Sequence, residues 1–222
     1  MKTLKKISSL LALAVVLMLS ASDTTKAQKV EVSTGVDLYS TYVFRGVAFS
    51  GPSYQPSFEV STGGFAIGAW GSQDFANKFQ EMDLYLGYTF DFGLYLGLTD
   101  YYYPGSSFED GESHAIEINA GFEIDNFSLA ANYIPAEAVT AGSIGGDMYF
   151  EAGYSVDDAT SLFLGAGNGW HTNFTDDFGV VNIGATTGKE LVISDTFTVP
   201  VSGSVVYNAY SKQFYILVGF SF

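Results

Sequence analysis

From residue 30 onward the chain alternates between two kinds of position with a period of two. Val30, Val32, Thr34, Val36 and Leu38 fall on one face, and Glu31, Ser33, Gly35, Asp37 and Tyr39 on the other. Tyr54, Pro56, Phe58 and Val60 stand against Gln55, Ser57, Glu59 and Ser61. Met82, Leu84, Leu86, Tyr88 and Phe90 stand against Glu81, Asp83, Tyr85, Gly87 and Thr89. Ile116–Phe122 against Glu117–Glu123, and Met148–Val156 against Asp147–Ser155, repeat the scheme. Successive side chains of a strand point to opposite faces, so the pattern predicts strands with one apolar and one mixed polar face. Segments of about ten such residues suit transmembrane strands, and a closed barrel is the sheet that leaves no backbone unpaired in lipid.

The connections alternate in length, as they do in outer-membrane barrels with short turns on one side and longer loops on the other. Thr62-Gly63-Gly64, Asp91-Phe92-Gly93, Asp125-Asn126 and Asp157-Asp158-Ala159 are short turns, with Gly and Asx supplying the geometry. Long connections are expected near 44–53, 72–79, 103–113, 135–146 and 168–178. Twelve strands result, starting near 30, 54, 65, 80, 94, 114, 127, 147, 161, 179, 197 and 213. Residues 188–196 break the rule and are expected to form a longer connection on the short-turn side. The fold class expected is all-β, a transmembrane antiparallel up-and-down barrel of twelve strands spanning residues 28–222. A soluble β-sandwich would also alternate. Its polar face would carry Lys and Thr toward water, whereas this one carries acids, Tyr and Gly.

The two ends bear on the destination. Lys2, Lys5 and Lys6 precede an apolar run, Leu10–Leu19, and small residues at Thr25 and Ala27 precede Gln28. That run is too short for a membrane helix, which needs about 20 residues; the segment reads as a signal peptide, residues 1–27, cleaved after Ala27. At the other end Phe214, Ile216, Val218, Phe220 and Phe222 alternate up to the final residue. This resembles the signal read by the outer-membrane assembly machinery, an expected partner through Phe222. The location expected is the cell outer membrane of a Gram-negative bacterium, with outer-membrane lipid and lipopolysaccharide around the barrel.

Composition narrows the function. The formal net charge is −15, and loss of residues 1–27 would leave five basic against 23 acidic residues. So acidic a chain excludes nucleic acid as a partner. Cysteine is absent, which removes disulfides, thiolate metal sites and Cys nucleophiles. The acidic loops lack the spacing of a calcium loop, and no cofactor or metal is expected. A lipid-modifying enzyme would need a His beside a nucleophile. The chain has only His114, which follows Ser113 on the opposite strand face, and His171 in an expected outer loop. Catalysis is therefore not expected.

The inward parity collects Glu31, Asp37, Glu59, Glu81, Asp83, Glu117, Glu123, Asp147 and Glu151, against a single base, Arg45. With Tyr39, Tyr85 and Tyr149 these are the candidate pore-lining residues. A barrel of about eight strands is filled by side chains and one of about 16 to 18 holds an aqueous channel. Twelve allows a narrow pore or a plugged interior. Rings of carboxylates select cations, so the expectation is a pore for small solutes with a cation preference. The alternative is that the acids are hydrogen-bonded to inward Tyr and Ser in a filled interior, leaving a structural or adhesive surface barrel. Inward glycines such as Gly87, Gly97, Gly153 and Gly165 either leave room in the lumen or let aromatic rings pack over them. Arg45 is read at the outer end of the first strand, paired with a carboxylate across the pore mouth and pinning the first loop.

The run Ser40-Thr41-Tyr42-Val43-Phe44-Arg45-Gly46, with Ser50, Pro52 and Gln55, then Gly64-Phe65 and Trp70-Gly71-Ser72, resembles the opening of the TorF family porins. The similarity is densest over residues 33–75 and extends weakly to Tyr215–Phe220. It implies an outer-membrane location and pore activity and supplies no solute. Tyr42, Arg45 and Gly46 match the family motif.

Overall fold

The computed structural model describes residues 29–105 and 107–222; the expected signal peptide lies outside the described residues. Twelve strands close into one antiparallel barrel. In chain order they are β1 (Val30–Tyr39), β4 (Ser53–Thr62), β5 (Phe65–Asp74), β6 (Gln80–Thr89), β7 (Leu94–Tyr102), β8 (His114–Ile124), β9 (Phe127–Ile134), β12 (Asp147–Ser155), β13 (Thr160–Gly169), β14 (Thr175–Ser194), β15 (Phe197–Asn208) and β16 (Gln213–Ser221). Two small hairpins sit outside the wall: β2 (Tyr42–Phe44) with β3 (Val47–Ser50), and β10 (Glu137–Ala138) with β11 (Ser143–Ile144).

Facing follows the alternation. On β6, Met82, Leu84 and Tyr88 are exposed outward while Glu81, Asp83 and Gly87 are buried inward. The outer surface is an apolar belt that includes Leu84, Leu96, Leu98, Ile118, Leu164 and Ile183. Aromatic rings flank it. Near the short turns, Tyr88 meets Phe65 and Phe90, and Phe127 meets Tyr154. Near the long connections, Tyr54 meets Phe75, and Phe150 meets Phe178. Two rings of aromatics around an apolar band are the exterior of a membrane-spanning barrel.

Inside, Gly87, Gly97, Gly165 and Gly184 serve the second of the two uses foreseen, while Gly153 faces the Ser128 hydroxyl. A Cβ on Gly87 or Gly97 would run into the Tyr95 ring, on Gly165 into Tyr149, and on Gly184 into Phe163. Each of these rings occupies the space that a side chain on the glycine would need.

Residues 188–196 need a correction. They are not a long connection: β14 continues to Ser194 and β15 starts at Phe197, paired from Gly188↔Ser202 down to Ser194↔Phe197. Past Thr187, β14 has lost its β13 partner, so this hairpin projects beyond the wall as a two-stranded ribbon with Asp195-Thr196 at its tip. The joint between β1 and β16 is short. Asp37, Leu38 and Tyr39 pair with Ser221, Phe220 and Gly219, and the backbones of Val36 and Ser40 bond Phe222 and Val218.

Candidate functional site

The sequence run that carries the family resemblance turns into the barrel. Phe44 pairs with Val47 across a two-residue turn, Arg45-Gly46. Both turn residues have positive φ, 48° and 82°, the type I′ geometry that tight hairpins favour. Gly46 is required twice over, since a Cβ there would also strike the Val181 carbonyl. Val181 is the extra residue of a bulge in β14, between Val180 opposite Ala166 and Asn182 opposite Gly165. The hairpin tip rests against that bulge, and Asn208 of β15 donates to the Gly46 carbonyl oxygen.

Arg45 is therefore not at the end of the first strand, as parity suggested, but at the tip of an inserted hairpin. Its guanidinium donates to both oxygens of Glu117 on β8, at 2.6 and 3.0 Å. It also lies 4.7 Å from the Tyr149 ring centre and 4.6 Å from that of Phe44. Glu117 further accepts from Tyr101 at 2.9 Å and from Asn119 at 2.6 Å. A bidentate Arg–carboxylate pair with every carboxylate oxygen engaged is the arrangement that offsets burial of two charges. The hairpin is thus clamped across the lumen from one wall to the other.

The other candidates separate into three groups. Around the hairpin, Glu81 accepts from Tyr103 at 2.7 Å, Asp83 is buried beside it, and Glu151 accepts from Tyr149 and from Asn182. Toward the short-turn side, Glu59 accepts from Tyr85 at 2.9 Å; Tyr39, opposite Ser53 at the other end of β1, lies over Gly219. Glu31 and Glu123 sit at the rim, exposed, Glu31 with Lys29; Asp37 is half-buried at the β1–β16 joint. Glu81, Glu151 and Glu59 realise the hydrogen-bonded alternative for the acids, while Asp83 keeps a buried oxygen without a partner and the rim acids do not join them. Asp147 turns outward from this network to the loops, where it accepts from Ser143 and from the Trp170 backbone.

Beneath the hairpin two cavities remain. One, of about 270 Å³, is bounded by Tyr39, Arg45, Gln55, Phe163 and Ser204. The other, of about 370 Å³, is bounded by Arg45, Tyr85, Tyr95, Asn132 and Glu151. The lumen is thus divided by the hairpin and by inward rings such as Tyr85, Tyr95 and Phe163, with these two cavities between them. Sequence reasoning missed Asn119, Asn182 and Asn208, though each has inward parity, and it missed Tyr103, which lies in a connection without parity to read.

His114 does no work in the lumen. It faces outward and bonds Asp100 at 2.9 Å and the Phe108 carbonyl at 2.8 Å, holding the 103–113 connection down. No group of three or more metal-ligating side chains occurs among the described residues.

The fold and its interior define a closed twelve-stranded barrel with an inward hairpin clamped across its lumen. By sequence the chain belongs to the family described as "Bacterial protein of unknown function (Gcw_chp)", which matches residues 23–217; that description does not carry the TorF name. No curated protein matches the chain. Among solved structures, two mutants of the Rh. blastica porin align at 15% and 14% identity, each over 87% of this chain and 73% of that one, with TM-scores of 0.44. A chain described under "Asymmetric conductivity of engineered proteins" aligns at 14% identity and a TM-score of 0.43, over 81% of this chain. The chain spans 63% of the length of that protein. At this level the likeness is to a barrel and no more.

Proposed function

We propose that the protein is a pore-forming barrel of the bacterial outer membrane that passes small solutes, prefers cations, and is constricted by the hairpin Tyr42–Ser50. The resemblance to the TorF family porins points the same way. The observation that carries the reading is the Arg45–Glu117 clamp, which holds the hairpin across a lumen that keeps cavities of about 270 and 370 Å³ beside it. Cation preference is supported by the inward acids and by Arg45, the one inward base of the described lumen, being already neutralised. Carboxylates in a narrow low-dielectric lumen concentrate a field that admits cations and repels anions. The exterior belt and its aromatic rings support the location.

The test is single-channel recording in a planar bilayer across a KCl gradient. Wild type should conduct with a cation-selective reversal potential, and Glu117→Gln should raise the conductance by releasing the hairpin. Absence of conductance from folded wild type, Glu117→Gln and a hairpin-deleted variant alike would leave a structural surface barrel as the reading. An anion-selective reversal potential would remove the cation preference.

A further inference from the structure

Glu81 and Asp83 are successive inward residues of β6, only 2% and 7% exposed. One Glu81 oxygen accepts from Tyr103, but Oε2 of Glu81 and Oδ1 of Asp83 are buried without a partner. Arg45 is committed to Glu117. Two buried carboxylates with idle oxygens and no base bonded to them are costly, and a positive charge beside them would offset that cost.

Above them, on the side of the long connections, opens a cleft of about 340 Å³ whose walls include Phe49, Phe79, Tyr103, Trp170 and Phe174, with the exposed Lys78 at its edge. Phe79 lies 5.6 Å from Phe49 and 6.0 Å from Tyr103, and Trp170 stands at 90° to Tyr103 at 6.0 Å. Tyr103 belongs to both features: it lines the cleft and its hydroxyl bonds Glu81. Tyr103, with Tyr42 packed on Phe49 and Phe79 beside it, thus stands between the ring-lined space and the acids. A third idle atom lies on the same wall. Trp170 Nε1 is buried without a partner, and a Cβ on Gly142, another cleft residue, would sit 3.4 Å from it.

We infer that this is a binding site for an organic amine: a protonated ammonium carried on a flat aromatic body. The rings receive the body and attract the cation through their faces. The ammonium donates to the idle oxygens of Glu81 and Asp83 once the Tyr103 hydroxyl swings aside, and an oxygen on the body accepts from Trp170. A neutral sugar would suit the rings but leave two carboxylates uncompensated, and an anion would meet their field. The inference deepens the pore reading, on which it rests for the occupant being a permeating solute.

Trp70, which packs on Tyr42 of the same ring cluster, and Trp170 are the two tryptophans of the chain, so intrinsic emission reports on this place. Folded full-length protein in vesicles is titrated with tyramine and with its neutral isostere tyrosol. Tyramine should change the emission saturably, with tyrosol about tenfold weaker or worse, as a charge-assisted contact requires. Glu81→Gln with Asp83→Asn should abolish the difference. An equal response to tyrosol would overturn the inference in favour of an apolar cleft. The same saturable change with ammonium chloride alone would overturn the organic class, and no saturable change in folded wild type would overturn the site. Should the double variant fail to fold, the two wild-type titrations decide. Binding without conductance would defeat the pore reading and spare this one; conductance without binding would do the reverse.

Discussion

Asn208 donates its side-chain N–H to the carbonyl oxygen of Gly46 at 3.0 Å, across 162 residues of sequence. The same side chain accepts from the Ser211 backbone. A wall residue thereby fixes both the tip of the inserted hairpin and the turn that leads into the last strand. Asn208→Leu should leave the Gly46 carbonyl buried and unpaired, costing about 1–3 kcal/mol. Urea unfolding in lipid vesicles, followed by tryptophan emission, measures it; a loss indistinguishable from zero would mean that the hairpin stays seated without this bond.

Gly46→Ala should unseat the hairpin. The backbone there is left-handed, and the new methyl group would meet the Val181 carbonyl. Trypsin cleaves after exposed arginines, so wild type should resist cutting at Arg45 and the variant should be nicked there. An unnicked variant with wild-type conductance would show that the bulge yields to the methyl group.

Facing on β6 can be tested by charge. Leu84 points outward and Tyr85 inward beside Glu59. Leu84→Lys should cost about 2–4 kcal/mol near the bilayer midplane and less toward its edge, whereas Tyr85→Lys would find Glu59 waiting. The measurement is again unfolding in vesicles, and a reversed order would invert the facing.

His171 gives a pH dependence. It lies in the connection between β13 and β14, its ring tilted at 49° to that of Tyr149, 4.9 Å away. Burial, and then the neighbouring Arg45 charge, push its pKa down to about 3. The unfolded chain would take up the proton near 6.5. The folded pKa is the lower one, so the stabilising contribution is complete above about 6.5 and is lost progressively as pH falls toward 3. Stability of wild type should decline over this window more steeply than that of His171→Gln. Parallel pH profiles would exclude His171 as the cause.

Much of this was legible in the sequence. The strand count, the facing and the inward set follow from a period of two, because a membrane barrel forces lipid-facing and lumen-facing positions to alternate. The ribbon of β14 and β15 was not legible: Lys189-Glu190 and the apolar run Leu191-Val192-Ile193 break the alternation, since outside the membrane neither face is obliged to be apolar. The inserted hairpin was hidden for a related reason. Its strands are three and four residues long, and Arg-Gly is not a dipeptide that announces a type I′ turn. Parity placed Arg45 on the correct side of the wall and suggested a carboxylate partner, but only three-dimensional contact identifies Glu117. Tyr103 and the cleft it lines come from connections, where no periodic constraint exists to read.

The joint between β1 and β16 has three paired positions, whereas every other neighbouring pair of barrel strands shares at least seven. Each of those others joins strands adjacent in the chain. This one draws together residues as far apart as Val36 and Phe222, separated by 186 positions (222 − 36), and the entropy of closing so long a loop must be met by very few bonds. The tube is in this sense a twisted sheet fastened by a short clasp. Val30–Gly35 below the clasp and Gln213–Leu217 above it each keep only one neighbouring strand. Unrolling begins there, and the eleven hairpin-type joints can outlast the loss of the enclosed lumen.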